Sequence, residues 1–240
     1  MSVLNKKEIY DDIVLDYAAA KTNIFKAKYE EAEVWKEIGD MTGQTVLDLA
    51  CGSGYYSRQF KQKGAKYVIG VDISEEMIKE ARNIEKEIPL GISYFVEDAF
   101  KYVGDSGFDT VAALYLFCYV ESRETLLNTC QNIYKNTKLG GRLISLTTVL
   151  DQSSRLVDMS LGYKFVACPV GEDQINFDDV LKVNCELYSE DMRSKCCFPN
   201  FLWKPETIAE ILYSADFSSV NIRSILPGVP VMIISATRNK

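Results

Sequence analysis

Short apolar segments alternate with segments of helical spacing along the first 150 residues of the chain. Residues 46–49 form an apolar run, which a glycine turn separates from helical spacing over residues 55–63. A second apolar run, residues 67–71, ends at Asp72. Short apolar runs of this kind predict buried strands, and strands that alternate with helices form parallel βαβ units. The pattern therefore predicts a doubly wound α/β sheet.

The same alternation continues to residue 149. Further strands are predicted at residues 92–96, 110–116 and 143–149, with a helix at 124–136 and a turn at 139–141. The longest apolar run, residues 111–120, is far shorter than the roughly 20 residues of a membrane-spanning helix, and it predicts a buried strand instead. Ser74 is suited to cap the helix after Asp72, because its hydroxyl can accept a hydrogen bond from the first turn.

The alternation breaks between residues 151 and 203. Residues 180–187 partly alternate and residues 193–201 look extended, so we predict an inserted antiparallel hairpin. After it, a helix is predicted at residues 205–215 and strands at 220–225 and 231–236. All seven predicted core strands then belong to one mostly parallel sheet, since α/β folds of about 200–250 residues commonly form a single core.

The turn after the first strand carries the strongest motif, DLACGSG at residues 48–54. Its glycines let the backbone pass close to a ligand, and Asp72, at the end of the next strand, is placed to accept hydrogen bonds from ribose hydroxyls. A dinucleotide site normally has a third glycine where this chain has Ser57. Asp48 would repel a diphosphate but is compatible with a ligand that carries an amine and a sulfonium. S-adenosylmethionine has both groups.

Five ordered motifs make the chain resemble the class I S-adenosylmethionine-dependent methyltransferases, in particular those that act on small molecules. The motifs are DLACGSG at residues 48–54, VDISEEMI at 71–78, EDA at 97–99, FDTV at 108–111 and LGGRL at 139–143. The resemblance implies a Rossmann-like fold. It also implies four parts of one domain: N-terminal lid helices in residues 1–40, a cofactor-binding core in 41–150, a substrate cap in 151–203, and a last helix and strands in 204–240.

The resemblance also implies roles for individual residues. Those expected to bind the cofactor are Tyr17, Asp48, Ala50, Gly52, Gly54, Asp72, Ile73, Met77, Asp98, Ala99, Tyr115 and Leu116. Within this set Ile73 and Met77 would line the adenine and Asp98 would contact its amino group. Tyr17 would close over the cofactor from the lid. The expected substrate-binding residues are Tyr10, Tyr119 and Trp203, although aromatic side chains of this kind are also typical of a packed core.

Composition limits the partners. The net charge is −7 and no run of Lys or Arg is long enough to neutralise a phosphate backbone, so we expect a small-molecule acceptor and no nucleic acid. We expect neither a signal peptide nor a membrane span, and hence a cytoplasmic protein. The seven cysteines include no Cys-x-x-Cys pair and the chain has no histidine, which excludes a Cys/His zinc site; no metal is expected. A monomer and a homodimer are both left open.

The absence of histidine also affects the expected chemistry. A neutral nitrogen needs no base before it attacks a methyl group, whereas a hydroxyl usually benefits from one, so we expect N-methylation ahead of O-methylation. No catalytic residue is assigned. Two alternatives remain: an NAD-dependent oxidoreductase, disfavoured by Ser57, and a non-catalytic methyltransferase-like subunit that binds a protein partner. Loss of Asp72 or of the glycines would indicate that subunit, and none of them is lost.

Overall fold

The computed structural model describes residues 29–104, 107–149, 158–159, 163–167, 179–188, 195–227 and 231–239. The strands are β1 Thr45–Leu49, β2 Tyr67–Asp72, β3 Ile92–Val96, β4 Phe108–Leu114, β5 Thr137–Thr148, β6 Asp158–Met159, β7 Tyr163–Ala167, β8 Val180–Tyr188, β9 Lys195–Trp203, β10 Ser218–Ser224 and β11 Val231–Thr237. The α-helices of these residues are α1 Glu31–Ile38, α2 Tyr55–Gln62, α3 Glu75–Glu87, α4 Arg123–Asn136 and α5 Pro205–Ser214.

Seven strands form the main sheet in the order β10-β11-β5-β4-β1-β2-β3. The strands β1 to β5 pair in parallel, β11 is antiparallel to β5, and β10 is antiparallel to β11. The chain runs outward in one direction from β1 to β3 and then returns to place β4 on the other side of β1. In doubly wound sheets ligands bind at such a switch point, beyond the carboxyl ends of the strands. The predicted α/β architecture is confirmed.

The segment between β5 and α5 contributes a second sheet with the order β6-β7-β8-β9, antiparallel throughout. The predicted hairpin corresponds to β8 and β9, and β6 and β7 extend it by two strands that the sequence did not indicate. This sheet is tied to the main one, because Val149, directly after β5, bridges to Trp203 at the end of β9.

The fourth strand is shorter than its apolar run predicts. β4 ends at Leu114, and Tyr115 has a φ of +66°, in the left-handed region. A short 3-10 helix, Phe117–Tyr119, follows it. Residues 111–120 therefore do not form one continuous strand, because the backbone turns at Tyr115. The apolar residues after the turn belong to the 3-10 helix and its flanks instead. Similarly, the turn predicted at 139–141 lies inside β5, where the pairing with β4 shifts its register.

Two apolar clusters cover the two faces of the main sheet. One contains residues of α1, α2 and α3, such as Ile38, Phe60 and Ile78. The other contains residues of α4 and α5, such as Leu126 and Leu212.

The capping expectation for α3 is met, since the Ser74 hydroxyl accepts a hydrogen bond from the Met77 N–H at 3.2 Å. Within the residues that the structure describes, no helix is both long and apolar enough to cross a membrane.

Candidate functional site

The glycine loop leaves β1 at the switch point of the sheet. Ala50, Gly52 and Gly54 have φ values of +58°, +55° and +78°, so the loop uses the left-handed region three times within five residues. Glycine adopts this conformation without the steric cost that a side chain adds. Ala50, which has a side chain, marks a strained point at the start of the loop.

Packing beneath the loop also requires a glycine at position 54. A Cβ built on Gly54 would lie 2.3 Å from the Tyr94 hydroxyl oxygen, and one on Gly70 would lie 2.7 Å from the Tyr94 ring. Tyr94 is 4% exposed, its hydroxyl has no hydrogen-bond partner among the described residues, and burial raises its pKa. Sequence reasoning missed Tyr94, because nothing local distinguishes it from another apolar residue of β3.

Asp72 ends β2, as predicted, and its side chain lies against the loop. One oxygen of its carboxylate accepts a hydrogen bond from the Gly52 N–H at 2.8 Å, and the other accepts one from the Ser74 N–H at 3.0 Å. Each carboxylate oxygen can accept more than one hydrogen bond. The carboxylate is only partly buried and is thus fixed by two backbone groups at the edge where the loop and the start of α3 meet.

Asp48 is 2% exposed and accepts a hydrogen bond from the Ser57 hydroxyl at 2.6 Å. Ser57 is itself fully buried in the first turn of α2. The contact attaches the end of β1 to the helix that follows the loop, so Asp48 holds the loop in shape. It also gives a structural reason for Ser57 at the position where a dinucleotide site has its third glycine.

The residues expected around an adenine follow β2 and β3. Ile73 is 36% exposed, whereas Met77 and Ala99 are buried. Asp98 accepts a hydrogen bond from the Phe100 N–H at 2.9 Å and forms an ion pair with Lys101 at 3.2 Å. The Asp98 carboxylate therefore caps its own turn, and its contact with adenine stays a prediction.

The residues expected beside a methionine group lie after β4. Leu116 is 2% exposed, and Tyr115 and Tyr119 are partly buried. The Tyr115 N–H donates a hydrogen bond to the Leu146 carbonyl at 2.6 Å, and the Tyr115 hydroxyl donates one to Glu30 at 2.6 Å. Sequence reasoning missed Glu30, which is one of several acidic residues near the start of α1 and has no local feature that sets it apart.

The placement of Trp203 argues against its expected contact with substrate. Its side chain is 0% exposed, and its ring N–H donates a hydrogen bond to the Val120 carbonyl at 2.9 Å. The indole therefore fixes the end of β9 to the segment after β4 and offers no surface to a ligand. The other two expected substrate residues differ: Tyr119 is partly buried in the 3-10 helix after β4, whereas Tyr10 lies outside the described residues, as does the lid residue Tyr17.

No group of three or more Cys, Asp or Glu side chains in the described parts of the chain is arranged to hold a metal ion. The polar groups at the switch point are instead a fixed carboxylate, Asp72, and the backbone of the glycine loop. Apolar side chains lie on both sides of this edge, after β2 and after β4. A ligand whose central hydroxyls donate hydrogen bonds to Asp72, and whose flat group packs against these apolar side chains, fits this arrangement.

The family model of a methyltransferase domain matches residues 46–141. That stretch contains the glycine loop, Asp72, Asp98, all of β2 to β4 and all but the first residue of β1. Residues 46–141 are thus similar to a methyltransferase domain, which agrees with the resemblance that the five motifs indicate and with the strand order of the main sheet.

Relatives with assigned names match about half of the chain. A demethylmenaquinone methyltransferase of Lactococcus lactis is 28% identical over 148 residues, which cover 59% of this chain and 58% of that protein. A ubiquinone biosynthesis O-methyltransferase of Coxiella burnetii is 30% identical over 126 residues, which cover 52% and 50%. A tRNA U34 carboxymethyltransferase of Haemophilus influenzae is 27% identical over 136 residues, which cover 53% and 39%. The matched part thus spans only about half, or less, of each relative.

Among solved structures, a Pyrococcus horikoshii protein superposes with a TM-score of 0.70 at 20% sequence identity. The superposition covers 98% of this chain and 100% of that one. At this identity the likeness concerns the fold, and it extends the agreement beyond the stretch that the family model matches.

Proposed function

We propose that this protein is an enzyme that transfers a methyl group from S-adenosylmethionine to a small-molecule acceptor and releases S-adenosylhomocysteine. The observation that carries the proposal is the position of Asp72, whose carboxylate is bonded to the Gly52 N–H at the switch point of the sheet. A carboxylate fixed beside a glycine loop is suited to accept hydrogen bonds from the two hydroxyls of a ribose. The family match over the same residues supports it.

Several details favour this cofactor over a dinucleotide. Ser57 fills the place of the third glycine, and its hydroxyl is committed to the buried Asp48. A carboxylate behind the loop opposes a pyrophosphate at the start of α2, where helix dipoles otherwise favour anions. The NAD-dependent oxidoreductase is therefore the weaker alternative.

Different residues of the chain would then bind different parts of the cofactor. Asp72 would hold the ribose, Ile73, Met77 and the turn at Asp98 and Ala99 would surround the adenine, and the glycine loop would approach the methionine end. Tyr115 and Leu116 would flank that end from β4. Tyr17 from the N-terminal segment would cover the cofactor.

S-adenosylmethionine supplies a methyl carbon activated by a sulfonium, which the acceptor attacks in line as the carbon–sulfur bond breaks. The contribution of the protein is to position the acceptor and to exclude water, and this can supply most of the rate enhancement. Since the chain has no histidine, a neutral nitrogen suits the site better than a hydroxyl that must first lose its proton. The Coxiella relative is named an O-methyltransferase, so acceptors of both kinds belong in the assay.

The second sheet supports a cap over a small acceptor. It is anchored through Trp203, which bridges to Val149 after β5 and bonds to the Val120 carbonyl after β4. Both attachment points follow carboxyl ends of core strands, the edge on which the candidate site lies. We therefore propose residues 151–203 as the substrate cap, together with Tyr10 and Tyr119 as substrate contacts. A net charge of −7 favours a small molecule over a nucleic acid.

Calorimetric titration with S-adenosylmethionine, S-adenosylhomocysteine and NAD tests the proposal directly. We expect micromolar binding of the first two and none of NAD. Turnover is then assayed with labelled S-adenosylmethionine against amine, phenol and quinol acceptors and against bulk tRNA. Binding of NAD alone would overturn the proposal. Cofactor binding without turnover on any acceptor would favour the non-catalytic subunit, and turnover on tRNA alone would remove the small-molecule acceptor. Cytoplasmic location and a monomeric or dimeric state remain predictions.

A further inference from the structure

A buried carboxylate connects the two sides of the candidate site. Glu30 is 1% exposed and lies directly before α1. One of its oxygens accepts a hydrogen bond from the Tyr56 hydroxyl at 2.7 Å, and the other accepts one from the Tyr115 hydroxyl at 2.6 Å. The two tyrosines are 26 and 85 residues from Glu30 in sequence, so the contact belongs to the folded chain alone.

The two tyrosines belong to the two segments that frame the switch point. Tyr56 lies in the first turn of α2, two residues after Gly54, and is 6% exposed. Tyr115 directly follows the last residue of β4, and the chain turns there. Glu30 therefore fixes the distance between the glycine-loop helix and the end of β4, between which the methionine end of the cofactor is expected to lie.

Tyr115 needs such support because its backbone is strained. A φ of +66° is unusual for a residue with a bulky side chain, and such conformations persist only where the surroundings enforce them. The Leu146 carbonyl holds the Tyr115 N–H at 2.6 Å, and Glu30 holds the far end of the same side chain. A residue fixed at both ends keeps one orientation toward a neighbouring ligand.

We propose that Glu30 is a positioning residue that shapes the binding site for the methionine end of S-adenosylmethionine by holding Tyr115 and Tyr56. The inference rests on the proposed function and adds to it a residue that none of the five motifs contains. A carboxylate buried out of water is costly unless it is paired or hydrogen-bonded, and hydrogen bonds to a charged acceptor are stronger than neutral ones. The Tyr56 and Tyr115 hydroxyls donate these hydrogen bonds, and the Glu30 carboxylate in turn holds both hydroxyls in place.

The neighbouring residue provides a matched control. Glu31 accepts a hydrogen bond from the Tyr55 hydroxyl, so the same two residue types pair one position later than Glu30 and one position earlier than Tyr56. Tyr55 and Glu31 are only partly buried, and no described bond links either of them to Tyr115. Glu31→Gln therefore removes a charge and alters a tyrosine contact without releasing the end of β4.

The test compares the affinity of Glu30→Gln, Tyr115→Phe and Glu31→Gln for S-adenosylhomocysteine by calorimetry, far below the unfolding temperature of each variant. Glutamine keeps the shape of Glu30 but removes the charge, and it offers one oxygen where two accepted. We expect Glu30→Gln to weaken binding about tenfold, the lower end of the effect of a charge-assisted hydrogen bond. Glu31→Gln should stay within about twofold of the wild type, because a partly solvated contact contributes little and this one does not hold Tyr115.

The double variant Glu30→Gln/Tyr115→Phe should weaken binding less than the product of the two single effects, because both remove the same contact. In turnover assays the KM for S-adenosylmethionine should rise while kcat changes less, which a mere loss of stability would not produce. If Glu30→Gln fails to fold, Tyr115→Phe still tests the contact, since it leaves Glu30 bonded to Tyr56. Unchanged affinity in the single variants, or an equal loss in Glu31→Gln, would overturn the inference.

The wild-type protein separates this outcome from a failure of the proposed function. A wild type that does not bind S-adenosylhomocysteine contradicts the proposed function before any variant is compared. A wild type that binds, with Glu30 variants that bind equally well, contradicts only the inference.

Discussion

Asp72→Asn is the most direct test of the candidate site. In the wild type the two carboxylate oxygens accept hydrogen bonds from the Gly52 and Ser74 N–H groups at 2.8 and 3.0 Å. An asparagine side chain has one oxygen to offer, so one of these N–H groups faces an amide donor instead. A ribose hydroxyl loses its charged acceptor at the same time. Hydrogen bonds to charged groups contribute about 1.5–3 kcal/mol, which predicts a loss of affinity of about 10- to 150-fold.

The assay is calorimetric titration of S-adenosylhomocysteine into the wild type, Asp72→Asn and Asp109→Asn. Asp109 is a suitable control because its carboxylate also accepts a backbone hydrogen bond, from Thr45 at 2.7 Å, but at the amino ends of the strands, opposite the site. Asp109→Asn should bind like the wild type. Wild-type affinity in Asp72→Asn, or an equal loss in both variants, would refute the assignment of Asp72 to the ribose.

The remaining predictions concern stability. Ser57→Ala removes the hydroxyl bonded to the buried Asp48 and should lower the free energy of unfolding by about 1–3 kcal/mol in a denaturant titration; no loss would show that Asp48 does not depend on this contact. Gly54→Ala should destabilise the fold. Adding Tyr94→Phe to this variant should restore part of the lost stability, because it removes the nearest clashing atom. Additive effects of the two substitutions in thermal melts would contradict this. The stabilisation by Asp109 should be present above about pH 4 and disappear as the pH falls through its lowered folded-state pKa, so the unfolding midpoints of wild type and Asp109→Asn should converge in acid.

The pKa of Asp109 follows from a balance that the structure makes explicit. Burial raises its pKa, but the hydrogen bonds from Thr45 and the ammonium of Lys138 at 3.1 Å together outweigh burial. The folded state therefore binds a proton less readily than the unfolded state does. Stability gained in this way is complete above the unfolded-state pKa and is lost on acidification.

The periodicity of the sequence was sufficient to predict the main sheet. Strands β1 to β3 and helices α2, α4 and α5 lie within a few residues of their predicted bounds, because each is an apolar run or an amphipathic stretch of ordinary length. Helix α3 begins directly after Ser74, where its start was predicted. The error at β4 has a specific cause. An apolar run contains no sign that Tyr115 adopts a left-handed backbone, which depends on its contacts with Leu146 and Glu30.

Side-chain roles were less predictable than the elements that carry them. Asp72 is where the motif places it, because its position follows from the end of a strand. Trp203 is a buried anchor instead of a ligand contact, since whether an aromatic residue packs or faces a pocket depends on the neighbouring sheet. Glu30 could not be found from sequence at all, because its partners are 26 and 85 residues away.

The glycine loop shows why a motif and a site are separate pieces of evidence. Gly54 is required by its φ of +78° and by the Tyr94 hydroxyl beneath it, whether or not a ligand binds above. A glycine turn of this kind is thus expected in many α/β folds that bind nothing there. Asp72 differs, since two backbone N–H groups hold its partly buried carboxylate at the edge of the site, and a carboxylate oxygen can accept more than one hydrogen bond. The functional argument therefore depends on Asp72 more than on the glycines.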